Sequence, residues 1–232
     1  MALDLGRFDV LSFDCYGTLI DWEAGLLAAI RPILERHGAV AEDEGLLERY
    51  ARHEAGLEDG PYLAYREVLS RALAGVAGEL GVVPTAEERA SFGGSVIDWP
   101  PFPDSADALA RLKSRYALAV ITNCDDDLFA ASNRRLGVAF DHVITAQQAE
   151  SYKPAHRNFE LAFERMGGPA DRVLHVAQSL FHDHVPANAL GLATVWVNRR
   201  HDRPGTGATP PAEATPDLVV PDMATLAALA GV

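Results

Sequence analysis

Phe8-Asp9-Val10-Leu11-Ser12-Phe13-Asp14-Cys15-Tyr16-Gly17-Thr18-Leu19-Ile20-Asp21 is the stretch on which the reading of this chain turns. Its first six residues are rich in β-branched and aromatic side chains and predict a short buried strand. The strand ends in a carboxylate, Asp14, and Gly17 allows a sharp turn three residues later. Open α/β folds place their ligands at the carboxyl ends of strands, so Asp14 stands where chemistry is done. An aspartate there serves as a nucleophile, a metal ligand or a helix cap, and the rest of the chain must decide among the three.

Working outward, Asp21 is placed to cap a helix from Trp22 to His37, with Gly38 as its stop. Leu26, Leu27, Ile30, Ile33 and Leu34 give that helix one apolar face, and Pro32 is expected to kink or split it. Further helical patterns run over 42–57 and 61–80, and a shorter one starts at Ala86. Nothing between residues 22 and 98 reads as a strand. The segment Asp98-Trp99-Pro100-Pro101-Phe102-Pro103-Asp104 cannot continue a helix and reads as a stiff return linker. The expected division is a core domain made of 1–20 and 99–232, with an all-helical domain, 21–98, inserted into it.

From the linker onward strands and helices alternate. Helices are predicted at 105–116, 127–136, 155–166, around 186–190 and at 223–229. Strands are predicted at 117–122, 142–145, 172–177, 194–197 and 218–220, and 203–216 reads as a loop. Alternation of this kind implies an α/β fold, a parallel sheet covered by helices on both faces.

The composition narrows the class. Of 232 residues 48% are hydrophobic, ample for a core, and 20 basic against 33 acidic residues give a net charge of −13. An acidic chain without a basic cluster argues against nucleic-acid binding, yet a local site can still take a small anion. The two cysteines, Cys15 and Cys124, suit neither a zinc motif nor a disulfide framework. No apolar run approaches the ~18 residues of a membrane span, and no secretion signal is evident. A cytoplasmic protein is the expectation.

Chemistry-bearing residues recur just after strands: Asp14, then Thr122-Asn123, then Tyr152-Lys153-Pro154, then Gln178-Ser179 with Asp183 beyond. In a parallel sheet these ends share one edge and converge. Each piece alone is ordinary: a lysine before a first-turn proline, turn chemistry, an aspartate near a helix N-terminus. Together, and in this order, they resemble the four motifs of the haloacid dehalogenase superfamily, and the helical insertion resembles its cap domain. The resemblance implies a Rossmann-like three-layer core with an inserted all-helical cap.

Within that superfamily the magnesium-dependent phosphatases carry Asp-x-Asp in the first motif, and here the second acid is Tyr16. A phenol with a pKa of about 10 replaces a carboxylic acid poorly as a proton shuttle. In the fourth motif neutral Gln178 stands in place of an acid, which thins a magnesium site. Asp-x-Tyr-Gly-Thr resembles the L-2-haloacid dehalogenase branch, which works without metal. That likeness implies attack by Asp14 on C2 of a short 2-haloalkanoate, an aspartyl ester, and hydrolysis to the 2-hydroxy acid.

Carried over by resemblance, Thr18 orients Asp14, Thr122 and Asn123 bind the substrate carboxylate, and Lys153 keeps Asp14 ionised. Asp183 pairs with Lys153 and helps activate water. Tyr16 and Ser179 line the pocket, and Arg49, with Arg52 as rival, is the cap arginine that meets the halide. Phe159 stands where that branch has a tyrosine, and Ser179 stands near its asparagine, with one residue more before Asp183. His182 and His184 flank Asp183, serving either packing or the pocket. No cofactor is implied, and a homodimer is. Two alternatives stay open: a phosphatase holding magnesium through Asp14, the Tyr16 carbonyl and Asp183, and a non-catalytic binder of small acids.

Overall fold

Six parallel strands form one sheet in the computed structural model, which describes residues 3–168, 170–203, 205 and 207–232. They are β1 (Val10–Phe13), β2 (Ala117–Thr122), β3 (His142–Thr145), β4 (Val173–Ala177), β5 (Ala193–Val197) and β6 (Leu218–Val220). Their order is β3-β2-β1-β4-β5-β6. Phe13, the last residue of β1, is in register with Val120 on one side and Val176 on the other. The chain therefore builds outward from β1 in one direction and then in the other. A crevice opens at such a reversal, and Asp14 is the residue that enters it.

Between β1 and β2 lie α1 (Trp22–Arg36), α2 (Asp43–Glu58), α3 (Tyr65–Glu79) and α4 (Ala86–Gly94). After them come α5 (Ser105–Lys113), α6 (Asp126–Leu136), α7 (Ala146–Ala149), α8 (Arg157–Met166), α9 (Val185–Ala189) and α10 (Met223–Leu229). This is the α/β architecture expected from the alternation. The described residues of the expected loop 203–216 hold neither helix nor strand; Pro204 and Thr206 lie outside the described residues.

Several boundaries differ from the sequence reading. Pro32 does not split α1, which is a single helix. Both Pro32 and Ala28, whose carbonyl the proline leaves without a helical donor, are exposed, so water can take the missing partner's place. The one-turn α7 has too few residues to show a period and escapes a pattern-based reading. Helix α3 starts at Tyr65 rather than near Pro61 because Asp125, distant in sequence, accepts hydrogen bonds from the Tyr65 and Arg66 amides at 2.9 and 3.1 Å. A side chain from the loop after β2 thus satisfies the free donors at the start of a helix in the insertion.

The chain leaves and re-enters the sheet through one paired crossing. Asp21 N donates to Pro100 O at 2.8 Å and Phe102 N to Leu19 O at 3.0 Å, around a bridge between Ile20 and Pro101. Beside it Trp99 lies across Gly25 of α1, where a β-carbon would come within 2.3 Å of the indole. The same indole meets the Tyr16 ring edge-on at a centroid distance of 5.6 Å, which ties α1 to the turn after Asp14. Gly25→Ala is expected to cost about 1–3 kcal/mol by overpacking and to lower the thermal midpoint. Calorimetry on the variant checks this.

Candidate active site

The turn that follows β1 folds around one carbonyl. Cys15 O accepts from Leu19 N at 2.7 Å and Ile20 N at 3.0 Å. Gly17 adopts φ +92°, and a β-carbon there would press on Gln178 and Trp22 at 3.1 Å. Only glycine meets both demands comfortably. The turn brings Thr18 back over the strand end, where its hydroxyl donates to Asp14 Oδ2 at 2.7 Å and accepts from Gln178 N at 2.9 Å. With its acceptor side occupied, the Thr18 hydroxyl is aimed at the carboxylate.

Lys153 enters from the loop after α7 and is 1% exposed. Its ammonium donates to Asp14 Oδ1 at 2.9 Å, to Asp183 Oδ1 at 2.7 Å and to Ile121 O at 2.8 Å. All three donors of the ammonium are thereby committed. His175 of β4 continues the chain: Nε2 lies 2.9 Å from Asp183 Oδ1, and Nδ1 lies 2.9 Å from Ser12 Oγ. An ionised Asp183 only accepts, so Nε2 carries the proton between them. Asp183 Oδ2 is buried without a hydrogen-bond partner among the described residues.

Charge settles within this network as the contacts require. Burial would raise Asp183, but the Lys153 charge and the His175 hydrogen bond outweigh it and hold the carboxyl well below its usual range. Burial lifts Asp14 above the usual range, with Lys153 and Thr18 pulling the other way. Lys153 itself is held above its ordinary value, because the two aspartates outweigh its desolvation.

The extra residue between Ser179 and Asp183 is absorbed by a π-helical turn, Leu180–His184. Ser179 O receives both Asp183 N, at 3.2 Å, and His184 N, at 3.3 Å. Such turns widen a helix by one residue, and here the widening lets Asp183 reach Lys153. Ser179 Oγ caps the turn, accepting from His182 N at 2.9 Å.

Above Asp14 is a cavity of about 30 Å³, whose walls include Asp14, Asn123, Lys153, Ser179 and Asp183 on one side and Glu54, Glu58 and Tyr65 of α2 and α3 on the other. It adjoins a cleft of about 890 Å³ with which it shares Glu58, Lys153 and His182. Glu54 Oε1 accepts from the hydroxyls of Tyr50, at 2.6 Å, and Tyr65, at 2.8 Å, and burial pushes its carboxyl up to about 7. Glu58 is raised well above the carboxylate range, chiefly by burial and then by Glu54. His182, buried beside them, is lowered to about 4.

Sequence reasoning missed Glu54, Glu58 and His175. A signal was present for the first two: Tyr50, Glu54 and Glu58 are spaced four residues apart and form one stripe on α2. His175 carried only the period-two pattern of a strand whose neighbours are apolar.

The expected site residues do not all reach the cavity. Arg49 is not at the cavity; its guanidinium meets Glu79 of α3 at 3.4 Å, and Arg52 meets the same carboxylate at 3.2 Å. Both arginines fall off the stripe that faces Asp14, and neither lines the cavity. Phe159 is fully buried, edge-on to His175 at 5.1 Å, and is a packing residue rather than a substrate contact. Tyr16 lines the cavity with its ring, while its hydroxyl turns into the core toward Ser132 Oγ at 3.0 Å. The Asn123 amide is spent on other tasks: Oδ1 accepts from Lys153 N at 2.7 Å, and Nδ2 donates to Lys153 O at 3.0 Å and Glu58 Oε2 at 3.3 Å. Thr122 Oγ1 is buried without a hydrogen-bond partner among the described residues. His184 is bound to Ala177 O at 3.0 Å, whereas His182 reaches the cavity.

Comparison with known proteins agrees with this architecture. The pattern of the haloacid dehalogenase-like hydrolases spans residues 8–179, and the chain belongs to that family. It is similar to an (S)-2-haloacid dehalogenase of Pseudomonas putida, 27% identical over 218 residues that make up 91% of this chain and 92% of the relative. Haloacetate dehalogenase H-2 of Moraxella sp. (strain B) is 26% identical over 226 residues, 94% of this chain and 95% of the relative. In structure the chain matches an L-2-haloacid dehalogenase from Xanthobacter autotrophicus at 25% identity and a TM-score of 0.80, covering 96% of this chain and 98% of that one.

Many such folds use magnesium, which needs several free oxygen ligands. Here the Oδ1 atoms of Asp14 and Asp183 are both held by Lys153, the latter also by His175, and Gln178 supplies no charge. This donor set does not fit the ion.

Removing the lysine should leave two buried carboxylates facing each other without a cation. Lys153→Met is expected to cost about 3–5 kcal/mol of stability. Chemical denaturation of the variant beside the parent checks this.

Proposed function

We propose that this protein hydrolyses short 2-haloalkanoic acids to 2-hydroxy acids, with Asp14 as nucleophile and no metal. One observation carries the reading: a buried Asp14 carboxylate, oriented by Thr18 and Lys153, faces the cavity and has no second acid beside it in its own turn. The names of its relatives, dehalogenases of 2-haloacids and of haloacetate, support the substrate class. In this reading residues 21–98 act as a cap on the core made of 1–20 and 99–232. The paired crossing at Ile20 and Pro101 supports that division.

An Asp14 oxygen attacks C2 from the face opposite the halogen, the carbon–halogen bond breaks with inversion, and an ester forms. Water then adds at the Asp14 carbonyl carbon and releases the hydroxy acid. Splitting one hard displacement into two steps is the gain of covalent catalysis. Asp183 Oδ2, unpartnered and beside the nucleophile, accepts a hydrogen bond from that water and orients it. A carboxyl held so far below its usual range takes protons poorly, so its part is positioning rather than abstraction.

The phosphatase alternative would need Asp14, the Tyr16 carbonyl and Asp183 as ligands, and the oxygens claimed by Lys153 weigh against it. The two cysteines are buried free thiols, which supports a reducing compartment such as the cytoplasm. Among the described residues no helix is long and apolar enough to cross a membrane. The homodimer belongs to the same reading, and sedimentation tests it.

Incubation with (S)-2-chloropropionate and EDTA should release chloride and (R)-lactate, and Asp14→Asn should abolish release. One turnover in ¹⁸O-water should leave the label in the Asp14 carboxylate and not in the product. Phosphate release from phosphate esters that depends on magnesium, without halide release, would overturn the reading.

Glu54 sets a pH dependence. Its carboxyl is neutral below about 7 and charged above, so an anionic substrate meets repulsion only on the alkaline side. KM for chloropropionate should rise about tenfold there, equivalent to ~1.4 kcal/mol. Glu54→Gln should flatten that rise.

A further inference from the structure

A departing halide is stabilised by hydrogen-bond donors, by a cation or by a proton, and fluoride, the most basic halide, depends most on the last two. The Lys153 ammonium is saturated by Asp14, Asp183 and Ile121 O, and Arg49 points to Glu79, so neither cation is at hand. What the α2 side of the cavity does present is Glu58. Its side chain is 6% exposed, its Oε2 receives Asn123 Nδ2 at 3.3 Å, and the same oxygen lies 3.8 Å from His182 Nε2. Glu58 Oε1 has no hydrogen-bond partner among the described residues.

We propose that Glu58 is the acid that protonates the departing atom during attack by Asp14, and that the site thereby acts on the carbon–fluorine bond of short 2-fluoroalkanoates. This rests on the dehalogenase reading above. Fluoride is the halide that gains from a proton, because hydrogen fluoride alone among the hydrogen halides is a weak acid. It is also the smallest, and the space directly beside Asp14 and Glu58 is narrow, about 30 Å³ before it meets the larger cleft.

Burial and the groups around Glu58 together favour its protonated form. Glu54 stands one turn back on α2, Tyr152 and Lys153 approach from the loop after α7, Asn123 from the end of β2, and His182 from the π-helical turn. Burial and the Glu54 charge raise Glu58, Lys153 and Asn123 oppose them, and the balance lies well on the raised side. His182, lowered to about 4, adds no charge near neutrality. Two carboxyls in one cavity pushed apart in this way, Asp183 down and Glu58 up, are the usual mark of an acid–base assignment.

The step balances. Asp14 forms a C2–O bond, the C2–F pair leaves with fluorine, and fluorine takes the Glu58 proton as hydrogen fluoride. Glu58 is then a carboxylate beside the ester. It takes a proton from the water that attacks the Asp14 carbonyl, which restores both residues and frees the 2-hydroxy acid. One group thus serves as acid and then as base.

The test compares kcat/KM for fluoride release from fluoroacetate with that for chloride release from chloroacetate, since this ratio reports the steps through halide departure. In the parent enzyme Glu54 gives both substrates the same roughly tenfold fall above about 7, and fluoride release alone should show a further alkaline limb as Glu58 ionises. Glu58→Gln should lower the fluoride-to-chloride ratio by about 10²-fold or more and remove the limb. Equal loss for both ions, an unchanged limb, or chloride without fluoride from the parent enzyme overturns the proposal but leaves the dehalogenase reading standing. Release of neither ion overturns both. Should Glu58→Gln fail to fold, the two pH profiles of the parent enzyme decide.

Discussion

One ammonium group organises the site. Lys153 reaches through the end of the sheet to touch Asp14 after β1, Ile121 O in β2 and Asp183 beyond β4. Those contacts spend all its protons and hold three separate strand ends at hydrogen-bond distance from one atom. A buried cation between two carboxylates adds little net stability compared with an apolar replacement, but losing one partner is costly. Lys153 is thus better understood as fixing geometry than as supplying binding energy. Asn123, bonded to both sides of the Lys153 peptide unit, and His175, bonded to Asp183, hold the partners in place.

The side of the cavity formed by α2 and α3 has an opposite character. It brings carboxyls rather than a cation toward the nucleophile, and burial decides their state. Burial lifts Glu54 to about 7 against the pull of Tyr50 and Tyr65, and it lifts Glu58 well above the usual carboxylate range. Asp125 ties this side to the sheet by capping α3, and Tyr152 adds a hydrogen bond to Leu63 O at 2.8 Å. The helices over the site are therefore held by groups that lie beside the nucleophile's own strand ends.

Much of the fold was legible because its signals are local. Strand β2, strand β3, strand β6 and helix α10 have the boundaries that alternation and apolar period predict. Starts and stops fared worse where the partner is distant: α3 begins where Asp125 caps it, and α1 runs through Pro32 because the exposed face tolerates the missing bond. At the site, Asp14, Thr18, Lys153 and Asp183 were readable from order and spacing, since parallel strands bring their ends to one edge. Arg49 was misplaced and Glu58 overlooked, because which stripe of α2 faces the cavity depends on how that helix docks.

The sequence by itself determined the sheet, the helical insertion, the strand-end aspartate and its lysine, because strand period, turn glycines and strand-end residues are encoded within short windows. Only the tertiary structure decided which charged groups face the cavity. Burial sets the protonation of Glu54 and Glu58, and burial follows from the packing of α2 over the sheet edge, which no window of sequence contains. The stretch around Asp14 names the carboxylate at the centre of the site. The packing above it decides which groups face that carboxylate.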